Sequence, residues 1–256
     1  RLQRRGGFGG GGGGGEEEGG SLCMALMPMM DALNHRADAK AVCSFEPSTN
    51  AFVLTAGAPL KKGEQVHLSY GPKGNDELLQ LFGFVEIENE HDTFLAVGLL
   101  EFASARASEA FSLQEAGRRL KLVQQLRISD GLRSAELQGG GAPRDTWHAL
   151  RLLFGSVDEL DGDLQRLRRP ASAQTEGRLC ALLRAYCKAA RSAMGGSRMQ
   201  DLAALKGERL PRRRLALQFR SEKKRLLSEL ENRLKLAEER ISKEGPRAPI
   251  ESLTRG

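Results

Sequence analysis

The sequence is short of cysteine, of long apolar runs and of any leader. Its four cysteines, Cys23, Cys43, Cys180 and Cys187, contain no C-x-x-C pair. That argues against a zinc knuckle and leaves reduced, mostly buried thiols of an intracellular protein as the reading. Cys180 and Cys187 stand seven residues apart and share a face if their segment is helical, which makes them packing residues. No apolar run approaches the roughly 20 residues that a membrane-spanning helix needs, so no membrane partner is expected. The chain opens on Arg1 rather than Met, and no charged-then-apolar segment follows it. The start therefore reads as an internal cut.

What is present suits a soluble protein with a real core. Hydrophobic residues at 40% and charged residues at 28% of 256 positions fit one large domain or two small ones. A formal charge of +6 leaves an acidic partner open. The basic residues are dispersed, however, and in the last third they interleave with Glu and Leu. A solvated helical surface accounts for that, so no nucleic-acid footprint is expected. Residues 1–20 are mostly glycine, broken by Glu16, Glu17 and Glu18. Such a stretch buries too little apolar surface to offset its ordering entropy and is expected to be a disordered linker. Arg5-Gly6-Gly7-Phe8 is a single unit of the Arg-Gly-Gly type that binds RNA, too little to carry that function. No Gly-Lys-Ser/Thr ends the run to make a phosphate loop.

Residues 21–104 carry short, strand-like signals. Ala41 to Phe45 and Ala51 to Thr55 are small apolar runs around a turn-rich Glu46-Pro47-Ser48-Thr49-Asn50. In Glu64 to Tyr70, Val66 and Leu68 alternate with Gln65, His67 and Ser69, which predicts a half-buried strand. Asn75 is placed to cap a short helix through Leu78, Leu79 and Phe82 that Gly83 stops. Thr93 to Leu100 is a further strand candidate. Residues 105–245 read as all-helical, with amphipathic stretches at Leu120 to Leu126, Trp147 to Phe154 and Leu179 to Ala190. The longest runs from Arg212 to Ile241, where Leu215, Phe219, Leu226, Leu230, Leu234 and Ile241 make one apolar face. Glu229 with Arg233 and Glu231 with Lys235 are spaced as supporting ion pairs. Acids share its polar face, so a bundle helix is favoured over one lying on a membrane. Residues 246–256 are expected to be a flexible tail, and the fold class is α+β.

Two motifs give this architecture a meaning. The first is Met27-Pro28-Met29-Met30-Asp31-Ala32-Leu33-Asn34-His35. The second is Gly63-Glu64-Gln65-Val66-His67-Leu68-Ser69-Tyr70-Gly71, continuing through Asn75-Asp76-Glu77-Leu78-Leu79 to Phe82-Gly83-Phe84-Val85 and Asn89 to Asp92. Together they resemble the C-terminal SET segment of the plant Rubisco lysine methyltransferase family and its eukaryotic relatives. Members of that family act on lysines of ribosomal and other proteins, and one branch acts on a histidine of actin. Trp147 to Leu153 is similar to the Leu-Arg-rich helix of the family's C-terminal domain, and Arg213 to Lys224 to its Ala-x-x-Arg-x-x-Glu-Lys helix. The resemblance covers the chain from Met27 to Ile241.

The resemblance implies transfer of a methyl group from S-adenosylmethionine to a lysine amine, on a protein substrate docked to the helical domain of a monomer. Two other functions remain open: a non-catalytic protein-binding module, and histidine methylation on the same fold. Compartment is not encoded, with chloroplast, cytoplasm and nucleus all compatible. Residue by residue, Tyr70 matches the family's catalytic tyrosine, whose hydroxyl lies where the methyl is transferred. Asn34 and His35 match the pair that contacts the cofactor, and Met30 to Leu33 would form part of the channel wall. Phe82 falls where many members carry a Tyr whose hydroxyl helps hold the acceptor nitrogen. Its loss leaves room for extra methyl groups. The family's Gly-x-Gly strand pair and long inserted helical region are not seen ahead of Met27, so the resemblance implies a truncated catalytic domain that does not bind S-adenosylmethionine on its own.

Overall fold

The computed structural model describes residues 26–156 and 164–255. The expected linker at residues 1–20, and Cys23, lie outside the described residues. Two compact units divide between Lys73 and Gly74.

The first unit holds two small sheets. Val42–Glu46 (β2) and Ala51–Thr55 (β3) form the expected antiparallel hairpin, in register from Val42 opposite Thr55 to Glu46 opposite Ala51. Its turn closes with Asn50 in the left-handed region at φ 50°, a conformation that asparagine tolerates better than most side chains. Asn34–His35 (β1) pairs in parallel with His67–Leu68 (β4). The strand expected over Glu64 to Tyr70 is thus two residues long, and its expected alternation of exposure is absent, since Val66 to Tyr70 are all half-buried. Two of its polar side chains are partnered inside the unit rather than solvated. Ser69 Oγ accepts from Gly71 N at 3.3 Å, and the Tyr70 hydroxyl donates to the Leu33 carbonyl at 2.7 Å.

The second unit opens with Asn75–Glu77 (α1), which widens into a π turn at Leu78–Phe82 and stops at Gly83, φ 76°. The N-cap is Gly74, not Asn75. Asn75 is instead fully buried, and its side chain ties a loop together: Nδ2 donates to Glu86 O and Asp92 Oδ2, and Oδ1 accepts from Glu86 N at 2.8 Å. A buried amide with all its groups used is worth more here than an exposed cap. The strand expected over Thr93 to Leu100 is confined to Phe94–Leu95 (β5), paired with Glu136–Leu137 (β6). Gly98, at φ 81°, turns the chain, and Leu99–Ala110 (α2) follows with Leu99 and Leu100 buried. This helix runs through residue 104, where the β-rich segment was expected to close.

Among the described residues the remaining α-helices are Leu113–Gln125 (α3), Asp130–Arg133 (α4), Arg144–Phe154 (α5), Ala173–Ala193 (α6), Arg198–Gly207 (α7), Pro211–Glu244 (α8) and Arg247–Glu251 (α9). Ser112, Ser172 and Ser197 cap three of them, each accepting an otherwise unpaired backbone N–H of the first turn. Trp147, Leu150, Leu153, Leu179, Leu183, Leu227 and Leu230 are fully buried in one core. Cys180 and Cys187 join it, and burial pushes both thiols up to about 12. On α8 the apolar face is as expected from Leu226 to Ile241, with Leu215 and Phe219 half-buried. The supporting ion pairs differ. Glu229 meets Arg225 and Glu231 meets Arg191 of α6, both at 2.6 Å, because partners on the packed side are held in place while Arg233 and Lys235 are solvated. The tail is no loose end: Ile250 and Leu253 are buried, and Thr254–Arg255 (β8) pairs with Ala142–Pro143 (β7). Burying two apolar side chains offsets the entropy of ordering it. Among the described residues no helix is long and apolar enough to cross a membrane.

Candidate functional site

In the first unit the chain turns tightly before β1. Asp31 N donates to Met27 O at 3.0 Å, and the Asp31 carboxylate accepts from Met27 N at 2.7 Å. Leu33 N then donates to Met30 O at 3.1 Å, which delivers Asn34 into the pairing with His67. The parallel β1–β4 pairing carries Tyr70 back across His35. Tyr70 N donates to His35 Nδ1 at 3.0 Å, and the two rings lie 5.1 Å apart. A ring nitrogen that accepts a backbone N–H carries no proton, so the proton of the neutral imidazole sits on Nε2. His35 Nδ1 is therefore a strut for the Tyr70 backbone.

The Tyr70 hydroxyl donates its only proton to Leu33 O. Toward any further group it can act only as an acceptor. Asn34 presents an exposed side chain from the strand between these two anchors. The structure thus brings Asn34, His35 and Tyr70 together, and Phe82 belongs to the second unit. Phe82 is 45% exposed and its ring lies 6.4 Å from that of Phe84. Among the described residues no group of three or more His, Cys, Asp and Glu could hold a metal ion.

A second constellation was not anticipated from the sequence. Glu222, Lys223 and Lys224, consecutive on α8, are all buried, and each holds groups from outside the long helix. Glu222 accepts from Glu88 N at 2.9 Å and from Arg225 Nε at 2.8 Å. Lys223 Nζ donates to Asp92 Oδ1 at 2.7 Å, to Thr93 O and to Asp76. Lys224 Nζ donates to Asp201 Oδ2 at 2.7 Å and to the carbonyls of Gly195 and Gly196. Together they clamp the loop from Asp76 to Thr93, and the start of α7, onto the long helix. A signal was available: the face at 215, 219, 226 and 230 has a gap at 223 that only a charged residue fills. A lysine inside an apolar stripe is worth a search for its carboxylate.

Known proteins resemble this chain in sequence and in fold. Residues 112–227 match the family described as Rubisco LSMT substrate-binding. The chain is 34% identical over 83 residues to SET domain-containing protein 4 of Artemia parthenogenetica, covering 32% of this chain and 21% of that protein. It is 36% identical over 70 residues to N-lysine methyltransferase SETD6 of Homo sapiens, covering 27% and 14%. The crystal structure of the SET domain of LSMT bound to lysine and AdoHcy is similar with a TM-score of 0.55 and 23% identity, covering 86% of this chain and 54% of that one. That likeness establishes the α+β fold. The chain spans about half the length of that solved structure and at most about a fifth of these two curated relatives.

Proposed function

Because this chain carries a Rubisco LSMT substrate-binding domain and is related to SET-domain proteins, we propose that the protein methylates a lysine side chain of a protein substrate, using S-adenosylmethionine. The observation that carries the reading is the anchored Tyr70, held by Leu33 at its hydroxyl and by His35 at its backbone. S-adenosylmethionine, when bound, supplies an electrophilic methyl on a sulfonium, whose positive charge also lowers the pKa of an approaching lysine. Asn34 would hold it through its exposed amide and β1 backbone, and the donor-and-acceptor chemistry of an amide suits a purine edge or an amino acid end. The Tyr70 oxygen, fixed as an acceptor, orients the polarised C–H bonds of a methyl group, a weak interaction that works by placement. His35 keeps the tyrosine from drifting.

The test is methyl transfer from labelled S-adenosylmethionine by the complete gene product, with mass spectrometry identifying the modified residue. Tyr70→Phe should lower kcat by about 10²-fold or more, as loss of one preorganised polar group does, with little change in KM for S-adenosylmethionine. Near-wild-type turnover in a variant that melts normally removes Tyr70 from the chemistry. Label on histidine would move the protein to the histidine-modifying branch, and absence of both transfer and cofactor binding would leave a protein-binding module.

A further inference from the structure

We propose that an arginine-lined recess in the second unit, formed by α5, the Leu164–Arg168 turn and α9, docks an Asp/Glu-rich segment of the protein substrate. The recess has a volume of about 720 Å³ and is lined by Arg144, Arg168, Arg169, Arg247 and His148, with Glu251 as its one acid among the described residues. Among the described residues Arg144, Arg168 and Arg169 make no ion pair, and all three are exposed. Arg247 shares its charge with Glu251 at 3.1 Å. The floor is built rather than incidental. Arg151, only 4% exposed, donates to Glu176 at 2.6 Å and to Leu167 O at 2.8 Å, and Glu176 also accepts from Ala171 N at 2.7 Å. That network fixes the turn that carries Arg168 and Arg169 into the wall. A smaller hollow of about 380 Å³ continues beyond His148 and Arg168, toward Arg127 and Asp130.

His148 responds to these surroundings. Burial, then the charge of Arg151, holds the His148 imidazole below its ordinary 6.5. Arg168 and Arg144 add to this, and only Asp145, at 3.6 Å, opposes it. Guanidinium groups spread over three elements around a space this large suit several carboxylates in sequence better than one phosphate, and their planar forks match carboxylate geometry. Half-buried Pro170 and Pro246 add an apolar surface for the peptide's aliphatic atoms. The inference rests on the methyl-transfer reading only for the owner of the peptide. Electrostatic complementarity of this kind sets specificity and association rate more than raw affinity, which suits a substrate that must leave.

The experiment is fluorescence anisotropy of the full chain with a labelled Glu-rich peptide and its Gln counterpart, beside NMR titration of His148. The Glu peptide should bind at least about tenfold more tightly than the Gln peptide, weaken as salt is raised, and raise the His148 pKa by bringing negative charge near it. Arg144→Glu with Arg168→Glu, both at exposed positions, should remove the preference while the melting curve holds. Equal binding of the two peptides, an unaffected double variant, or a His148 titration that the peptide does not move would overturn the proposal. So would displacement of the peptide by equimolar inorganic phosphate, or tighter binding of a single-stranded RNA lost in the same variant. Peptide binding without methyl transfer would leave the recess standing and remove the enzymatic reading. Methyl transfer without peptide binding would do the reverse.

Discussion

Replacing Lys223 by Met should destabilise the second unit by about 3 kcal/mol. Breaking a buried ion pair from one side costs about 3–5 kcal/mol, because the surviving charge keeps its desolvation penalty without its partner. The low end applies here for a structural reason. Asp92 would still accept from Asn75 N at 2.9 Å, Asn75 Nδ2 at 3.1 Å and Thr93 N at 3.1 Å, so it is not stranded. Asp76 is 60% exposed and returns to water. Met keeps the stem that packs near Phe219, whose ring centre lies 4.9 Å from the ammonium. Urea denaturation followed by circular dichroism measures the loss, which at about 2 kcal/mol/M moves the midpoint by about 1.5 M. Adding Asp92→Asn to Lys223→Met should recover part of it, since the pair is then neutral on both sides. A loss below about 1 kcal/mol, in the range of exposed pairs, would refute the view that this lysine closes a buried clamp.

Three further outcomes are expected, the first from the resemblance and the other two from the geometry. Phe82→Tyr should shift the product toward fewer methyl groups at matched turnover, read by intact mass. An unchanged ratio would place Phe82 away from the amine. Cys180 and Cys187, with pKa values of about 12, hold roughly one thiolate in ten thousand at pH 8, so iodoacetamide mapping of the native protein should find them unmodified while half-buried Cys43 reacts. Burial pushes the Asp201 carboxyl up, but hydrogen bonds from Arg220 and Lys224, with their charges, outweigh it and hold the group below its ordinary value. A depressed folded pKa means stability that is complete above the unfolded value near 3.9 and lost as pH falls through the folded one. Asp201→Asn should therefore lower stability at neutral pH and flatten the acid limb below about pH 4. An acid limb parallel to wild type would show that Asp201 is not the linked group.

The parts of the structure that obey a local rule were legible in the sequence. The β2–β3 hairpin followed from two apolar runs around a turn, and α8 followed from its four-and-seven spacing, to within three residues at its C-terminal end. Asn34, His35 and Tyr70 were singled out by motif, and the parallel pairing that brings them together has no local signature. Two strands 33 residues apart are matched by topology, which no window of residues reports. Asn75 was misread for a related reason. Its type and place fit a cap, but its partners, Glu86 and Asp92, lie more than ten residues away. The buried charges of α8 escaped because a polar residue was assigned to the polar face, when its partner had converted it into part of the core.

The clamp also has a timetable. Asp92 and Lys223 are 131 positions apart, and a ribosome adding about 5–20 residues per second needs roughly 7–26 s to span them. During that interval the loop around Asn75 exists with its acids uncountered. The Asn75 side chain, whose partners all lie within 17 residues, has no such wait. The loop can thus close on itself early and be fastened late, when the long helix arrives. A nascent chain halted before α8 would hold the loop's shape without its anchorage, and quality-control machinery would meet a segment that is ordered but not yet attached.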